Sequence, residues 1–292
     1  MKFYFSLLII LSLLIGFIGC SELNNDISEP SVVNVHKVGF GDPGSENFHT
    51  TAFQANGWNL KECSSCHASD YAGGLTGVSC LSCHSSAGGP EACNTCHGDF
   101  ADGSRIAPPT DLLGNIETTF PGVGAHGTHA YDTQIAVIVD CFECHPSAEG
   151  TEKFVYSHVG ALPAEVQFGT FTNTNGAASY DFNNNTCSNT YCHGNFVFNK
   201  EDSDNQFAYI ADQMVGNNYS PVWNLVDGTQ AKCGTCHGEL AEDGTLVSAV
   251  PTGHLPSPLS GCANCHIGIV DNEGSIIDSV KHINGMSNVF GN

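Results

Sequence analysis

CSSCH at 63–67, CLSCH at 80–84 and CNTCH at 93–97 follow one another with only 12 and 8 residues between successive motifs. Each pentapeptide has the form of a covalent c-type haem attachment site. Two thiols (Cys63 and Cys66, Cys80 and Cys83, Cys93 and Cys96) add across the porphyrin vinyl groups as thioethers, and the histidine that follows (His67, His84, His97) ligates the iron from the proximal side. Three such sites in 35 residues leave too little chain for separate cores. The haems must lie against one another, and contact between haems is a path for electrons. Chance or a zinc knuckle competes poorly: 15 Cys and 14 His in 292 residues would give well under ~0.1 such pentapeptides, and the chain has six.

Working outward, CFECH supplies Cys141, Cys144 and His145; CGTCH supplies Cys233, Cys236 and His237; CANCH supplies Cys262, Cys265 and His266. One further motif is irregular. CSNTYCH keeps Cys192 and His193 adjacent but puts four residues between Cys187 and Cys192. Proximal ligation needs only the Cys-His end, and the longer loop can bulge away while Cys187 still reaches its vinyl group. A disulfide or a metal site would also use such residues. The same Cys-His ending in the motifs on either side favours a seventh haem c. Of the 14 histidines, seven follow attachment cysteines, which leaves His36, His49, His126, His129, His158, His254 and His282. Taken singly, a loop histidine is more often structural than a ligand. Seven haem irons, however, need seven second axial ligands, and seven histidines remain to serve as distal ones. Met214 and Met286 are then left without a vacancy and go to packing.

Thirty acidic against eight basic side chains give a formal charge of −22, to which haem propionates would add. Nucleic acid and anionic lipid surfaces are poor partners for such a field. Residues 1–19 hold one charge, Lys2, and an apolar run slightly short for a comfortable membrane span, as in a secretory signal. The run ends Phe17-Ile18-Gly19-Cys20, which is similar to a bacterial lipobox. Fourteen cysteines are assigned to haem, so Cys20 is the one left over, and lipidation explains it. Residues 20–31 are polar and acidic without apolar periodicity, the pattern of a flexible tether. The rest divides into an amino-terminal tri-haem module over 32–106 and a tetra-haem CxxxxCH/CxxCH module over 107–292.

The expected fold is a mostly irregular, loop-rich multihaem cytochrome c with short helices, a few short strands and a haem-stacked core. With roughly 39 residues per haem, no site can build its own core without the cofactor. Short helices are expected after some motifs. Strands are expected near 164–172 and 195–198, a strand or buried turn at TQIAVIV (133–139), and an Asn-rich turn at 183–185. An internal duplication is also expected. CNTCHG, a proline-bearing loop, GTHA, CFECH and His158 parallel CGTCHG, a proline-bearing loop, GHLP, CANCH and His282. On that alignment His129 matches His254, His158 matches His282, and His126 is committed to a haem outside its own unit.

From about Ala107 onward, TCSNTYCHG, CGTCHG, GHLPS and HINGM give the chain a resemblance to the multihaem cytochromes of metal-respiring bacteria that carry paired CxxxxCH and CxxCH motifs. The resemblance covers roughly two-thirds of the sequence; the three amino-terminal motifs are generic. It implies extracytoplasmic electron transfer through stacked low-spin haems. It also implies an exported protein held by lipid at the outer membrane, on its periplasmic or cell-surface face. Partners would be redox donor and acceptor proteins, other multihaem cytochromes, or extracellular metal oxides. Two other classes compete. A multihaem reductase needs an iron with an open position, which bis-histidine ligation fills. A polymerising filament subunit would lend a histidine to its neighbour's haem.

Overall fold

The computed structural model describes residues 35–146 and 163–291. The chain separates into two units at Trp58/Asn59. In the first, tight turns from Lys37 to Phe48 lead into helix α1 (His49–Ala55). Phe40 holds both histidines of this unit. Its ring stacks on His36 at 4.0 Å, and its carbonyl accepts from His49 Nδ1 at 3.3 Å.

Among its described residues, the second unit is built from short turns and three two-stranded ribbons. Helices α2 (Lys61–His67), α3 (Cys93–Cys96) and α4 (His126–Tyr131) each run two turns or less. Strands β1 (Ser179–Asp181) and β2 (Thr186–Ser188) pair antiparallel, Tyr180 opposite Cys187. Strands β3 (Val197–Asn199) and β4 (Gln213–Val215) pair with Phe198 opposite Met214. Strands β5 (Glu239–Leu240) and β6 (Leu246–Ser248) form a third hairpin. The Asn-rich turn between β1 and β2 falls where the sequence places it. Asp181 accepts from the Asn183 amide at 2.8 Å and the Asn184 side chain at 2.7 Å, and Asn185 takes the positive φ that asparagine tolerates.

The apolar core of the polypeptide is thin. Leu60, Tyr71, Val123, Tyr191, Tyr209, Met214 and Ile269 are buried, yet among the described residues no large side chain falls below 2% exposure. Leu81, Phe142 and Ile267, each within or beside an attachment motif, present apolar surface at 41%, 49% and 52% exposure. The fold is therefore loop-rich with small helices and strands, as expected.

Short 3-10 helices do follow the first two motifs, at Gly74–Thr76 and Gly89–Glu91. Helical turns also lie on most of the motifs themselves, because a turn puts residues three and four apart on one side and so presents both thiols and the imidazole together. Two local expectations are corrected. Residues 164–172 form no strand. Their amides instead bond to a haem motif, Gln167 N to Cys144 O and Gly169 N to Glu143 O, both at 3.0 Å, so no partner strand is available. Residues 133–139 are irregular and partly exposed, Ile138 at 56%. Their backbone is bound to histidines: Val139 N donates to His129 O, and Ile135 O accepts from His282 Nδ1 at 2.7 Å.

Candidate haem-binding sites

In the regular motifs the histidine amide closes a helix-like bond onto the first cysteine: His84 to Cys80, His145 to Cys141 and His266 to Cys262, each 2.9 Å. The CxxxxCH motif reaches the same end differently. Cys187 lies on β2, Asn189 turns the chain with φ of 58°, and a 3-10 turn over Tyr191–His193 delivers Cys192 and His193. The two extra residues are the passage from strand to turn. Asn195 and Asn218 pin that passage through their side-chain amides on Asn189.

Among the described residues, imidazoles then face each other in pairs across similar gaps. His126 and His145 have ring centroids 6.1 Å apart and planes 13° from parallel. His129 and His193 stand 6.0 Å apart at 64°, and His237 and His282 stand 6.2 Å apart at 67°. An imidazole nitrogen lies about 2 Å from a metal it ligates and the ring centroid roughly 1.1 Å behind it, so two imidazoles on opposite sides of one metal have centroids about 6.2 Å apart. Each pair joins one motif histidine to one histidine from outside the motifs. Haem iron fits this donor set: paired imidazoles at that separation, one of each pair following the two cysteines of an attachment motif.

The second nitrogen of most of these rings is committed. Among motif histidines, Nδ1 of His67, His97, His145, His237 and His266 lies 2.7–2.9 Å from the carbonyls of Val78, Ile106, Glu165, Ala249 and Asn288. His126, His129 and His282 do the same with Val123, Ala125 and Ile135, and His254 with Leu255. A carbonyl only accepts, so Nδ1 carries the proton and Nε2 keeps its lone pair for a metal. Burial acts in the same direction. It lowers His126 and His193 to about 4, and lowers His237 and His282 as well, so the imidazoles stay neutral. It also raises Cys144 to about 12 and Cys187, Cys192 and Cys236 to about 11, which makes those thiols poor at disulfide exchange.

The motifs neighbour one another in chain order. After burial, the largest influence on the Cys63 thiol is Cys80, and on Cys144 it is Cys187 and then Cys192; Cys192 in turn feels Glu143 and Cys236. Cys93 acts on Cys141, and Cys233 on Cys262. Cys83 and His84 share a cleft with Asn94 and Thr95 of the third motif. Direct bonds reinforce the middle of the series. Thr172 donates to Glu143 Oε2 from its amide at 3.0 Å and its hydroxyl at 2.9 Å, and its carbonyl accepts from Tyr191 N, so the CFECH turn is tied to the CxxxxCH turn. On the other side, Asn217 N donates to Cys236 O at 2.9 Å, while Asn218 N and Tyr219 N donate to Gly194 O and His193 O.

Residues 186–237 match the family model described as the Geobacter CxxxxCH...CXXCH motif. The match covers 52 of the 292 residues and supports a multihaem c-type cytochrome of this family. No curated protein and no solved structure matches it. In this cytochrome the matched stretch runs from the strand bearing Cys187 to His237, and so spans two of the three facing imidazole pairs on their motif side.

The distal assignment differs from the alignment drawn in sequence. His126 faces His145, the motif histidine of its own unit, and His129 is the one directed outside, to the CxxxxCH site. The two histidines sit three apart on α4 and so share a face while lying opposite different motif histidines. Met214 packs in the core on β4, and Met286 is exposed at 65%. Cys20 and His158 lie outside the described residues. Sequence reasoning missed Trp223, whose ring lies 4.8 Å from that of His126 and 5.5 Å from that of His129. The cue was available: a lone tryptophan within the CxxxxCH/CxxCH stretch of a chain that has only two.

Proposed function

We propose that this cytochrome relays electrons through seven covalently attached haems, each held between two histidines and placed in the order of their motifs along the chain. Haem supplies an iron that alternates between ferrous and ferric states. The protein's part is to fix both axial nitrogens, so that little rearranges when the charge changes, and to bring successive motifs into contact. The observation that carries the reading is the set of three imidazole pairs at 6.0–6.2 Å. They account for His126, His129 and His282. His36, His49, His158 and His254 remain for the irons of His67, His84, His97 and His266, a count that closes at seven. The CxxxxCH haem would link the motifs before it to those after it, since its turn is bonded to Glu143 on one side and to the Cys236 region on the other.

In this reading the haems stack and supply the core that the polypeptide makes thin. Cys20 carries the lipid that holds the exported protein at the outer membrane. Its partners are redox proteins, other multihaem cytochromes or extracellular metal oxides. The acidic surface favours cationic faces on such partners. The test is intact mass with electron paramagnetic resonance on the purified protein. Seven added haems, all six-coordinate and low-spin, are expected. Six haems would remove the Cys187/Cys192 site. A native iron that binds carbon monoxide would favour a catalytic haem.

A further inference from the structure

We propose that Trp223 is a positioning residue for two haem sites at once, holding the distal imidazoles His126 and His129 in their separate orientations. The proposal rests on the bis-histidine reading of the His145 and His193 sites. The indole lies against both rings in different ways. Its edge-to-face contact with His126 has planes 89° apart, and its stacked contact with His129 has planes 30° apart. Each imidazole keeps one hydrogen bond, to Val123 O or Ala125 O. A ring held by one bond can still swing about it. An indole packed on its flank removes that freedom, and the two different contacts set two different ring planes.

The surroundings fix the indole itself. Nε1–H donates to Pro121 O at 2.8 Å, just ahead of α4. Gly124 stands where any side chain would collide: a Cβ there would meet Trp223 Cδ1 at 2.6 Å. The neighbouring Asn224 donates to Thr119 O at 2.7 Å. On the backbone side, Trp223 N donates to Asn185 O, and Cys187 N donates to Pro221 O at 3.1 Å. Trp223 therefore connects the strand that bears an attachment thiol of the CxxxxCH haem with the helix that supplies that haem's distal ligand. A single side chain thereby ties the ligation of one haem to that of the next.

The experiment uses the full-length haem-loaded protein and two variants, Trp223→Phe and Trp223→Ala, with covalent haem counted by mass. Ferric low-spin signals are first assigned with His126→Ala and His129→Ala. In Trp223→Phe, the signals of the His145 and His193 haems are expected to shift and all others to stay. In Trp223→Ala, up to two irons per molecule are expected to become high-spin and to bind carbon monoxide, with the haem count unchanged. Should the alanine variant fail to accumulate, the phenylalanine spectrum decides. Unchanged signals at both haems, or equal shifts at all of them, would overturn the proposal. If His126→Ala and His129→Ala leave every signal unchanged, the ligand reading fails; if they change their signals and the Trp223 variants do not, only the present proposal fails.

Discussion

Replacing Gly194 by alanine tests whether the CxxxxCH motif and the following CxxCH motif are in backbone contact. Gly194 follows His193 of the CxxxxCH motif with φ of 93°, a left-handed conformation that costs an L-residue roughly 1–2 kcal/mol. A Cβ would lie 2.9 Å from the Cys236 carbonyl carbon, 3.1 Å from its Cα and closer still to its oxygen. That carbonyl would have to move, and it accepts from Asn217 N at 2.9 Å, so about 1 kcal/mol of hydrogen bonding is also at risk. The expected loss of about 2–3 kcal/mol corresponds to a melting temperature lower by roughly 5–10 °C for a unit of this size. Gly228→Ala is the control. It too has a positive φ, 79°, but nothing lies within 4 Å of its Cβ, so it reports backbone strain alone. Both are read by far-ultraviolet circular dichroism on haem-loaded protein. If Gly194→Ala melts within about 2 °C of Gly228→Ala, the close approach of the two motifs is wrong, and so is the order built on it.

Three further outcomes follow from the imidazole pairs and the leader. His129→Ala should open the iron at Cys187/Cys192 to carbon monoxide while the haem count holds, whereas His126→Ala should open the one at Cys141/Cys144; a swap of these effects would reverse the pairing on α4. Near-parallel imidazole planes give a rhombic low-spin ferric spectrum and strongly twisted planes a highly anisotropic one. The haem between His126 and His145, at 13°, should therefore show the first kind, and those at 64° and 67° the second; identical spectra at all three would contradict the ring geometry. Cys20→Ala should move the protein to the soluble fraction with its haems intact, and a wild type already soluble and unlipidated by mass spectrometry would reject the lipid anchor.

What the sequence determined by itself was the attachment chemistry. Two thiols and an imidazole within one or two turns are a local pattern, and local pattern is what a sequence displays directly. The loop-rich fold followed from the same count, because so many sites in so little chain leave no room for long elements. The Asn-rich turn was legible for a similar reason, since Asp181 and Asn184 satisfy it through their own side chains. The strand or buried turn expected at 133–139 and the strand expected at 164–172 do not form. Both segments are apolar and β-branched enough to suggest strands, but their backbone groups are spent on histidines and on the CFECH turn, a demand that propensity does not register. Pairing of the distal histidines was likewise left to tertiary structure. The order GTHA then CFECH suggested that His129 served its own unit, yet His129 faces His193 and His126 takes the nearer site. The physical reason is that an attachment motif is bound to its haem covalently and from within one turn, whereas the opposite imidazole can arrive from anywhere along the chain. Only the folded path, with Trp223 between the two rings of α4 and the Ile135 carbonyl aiming His282 at His237, decides which histidine stands opposite which.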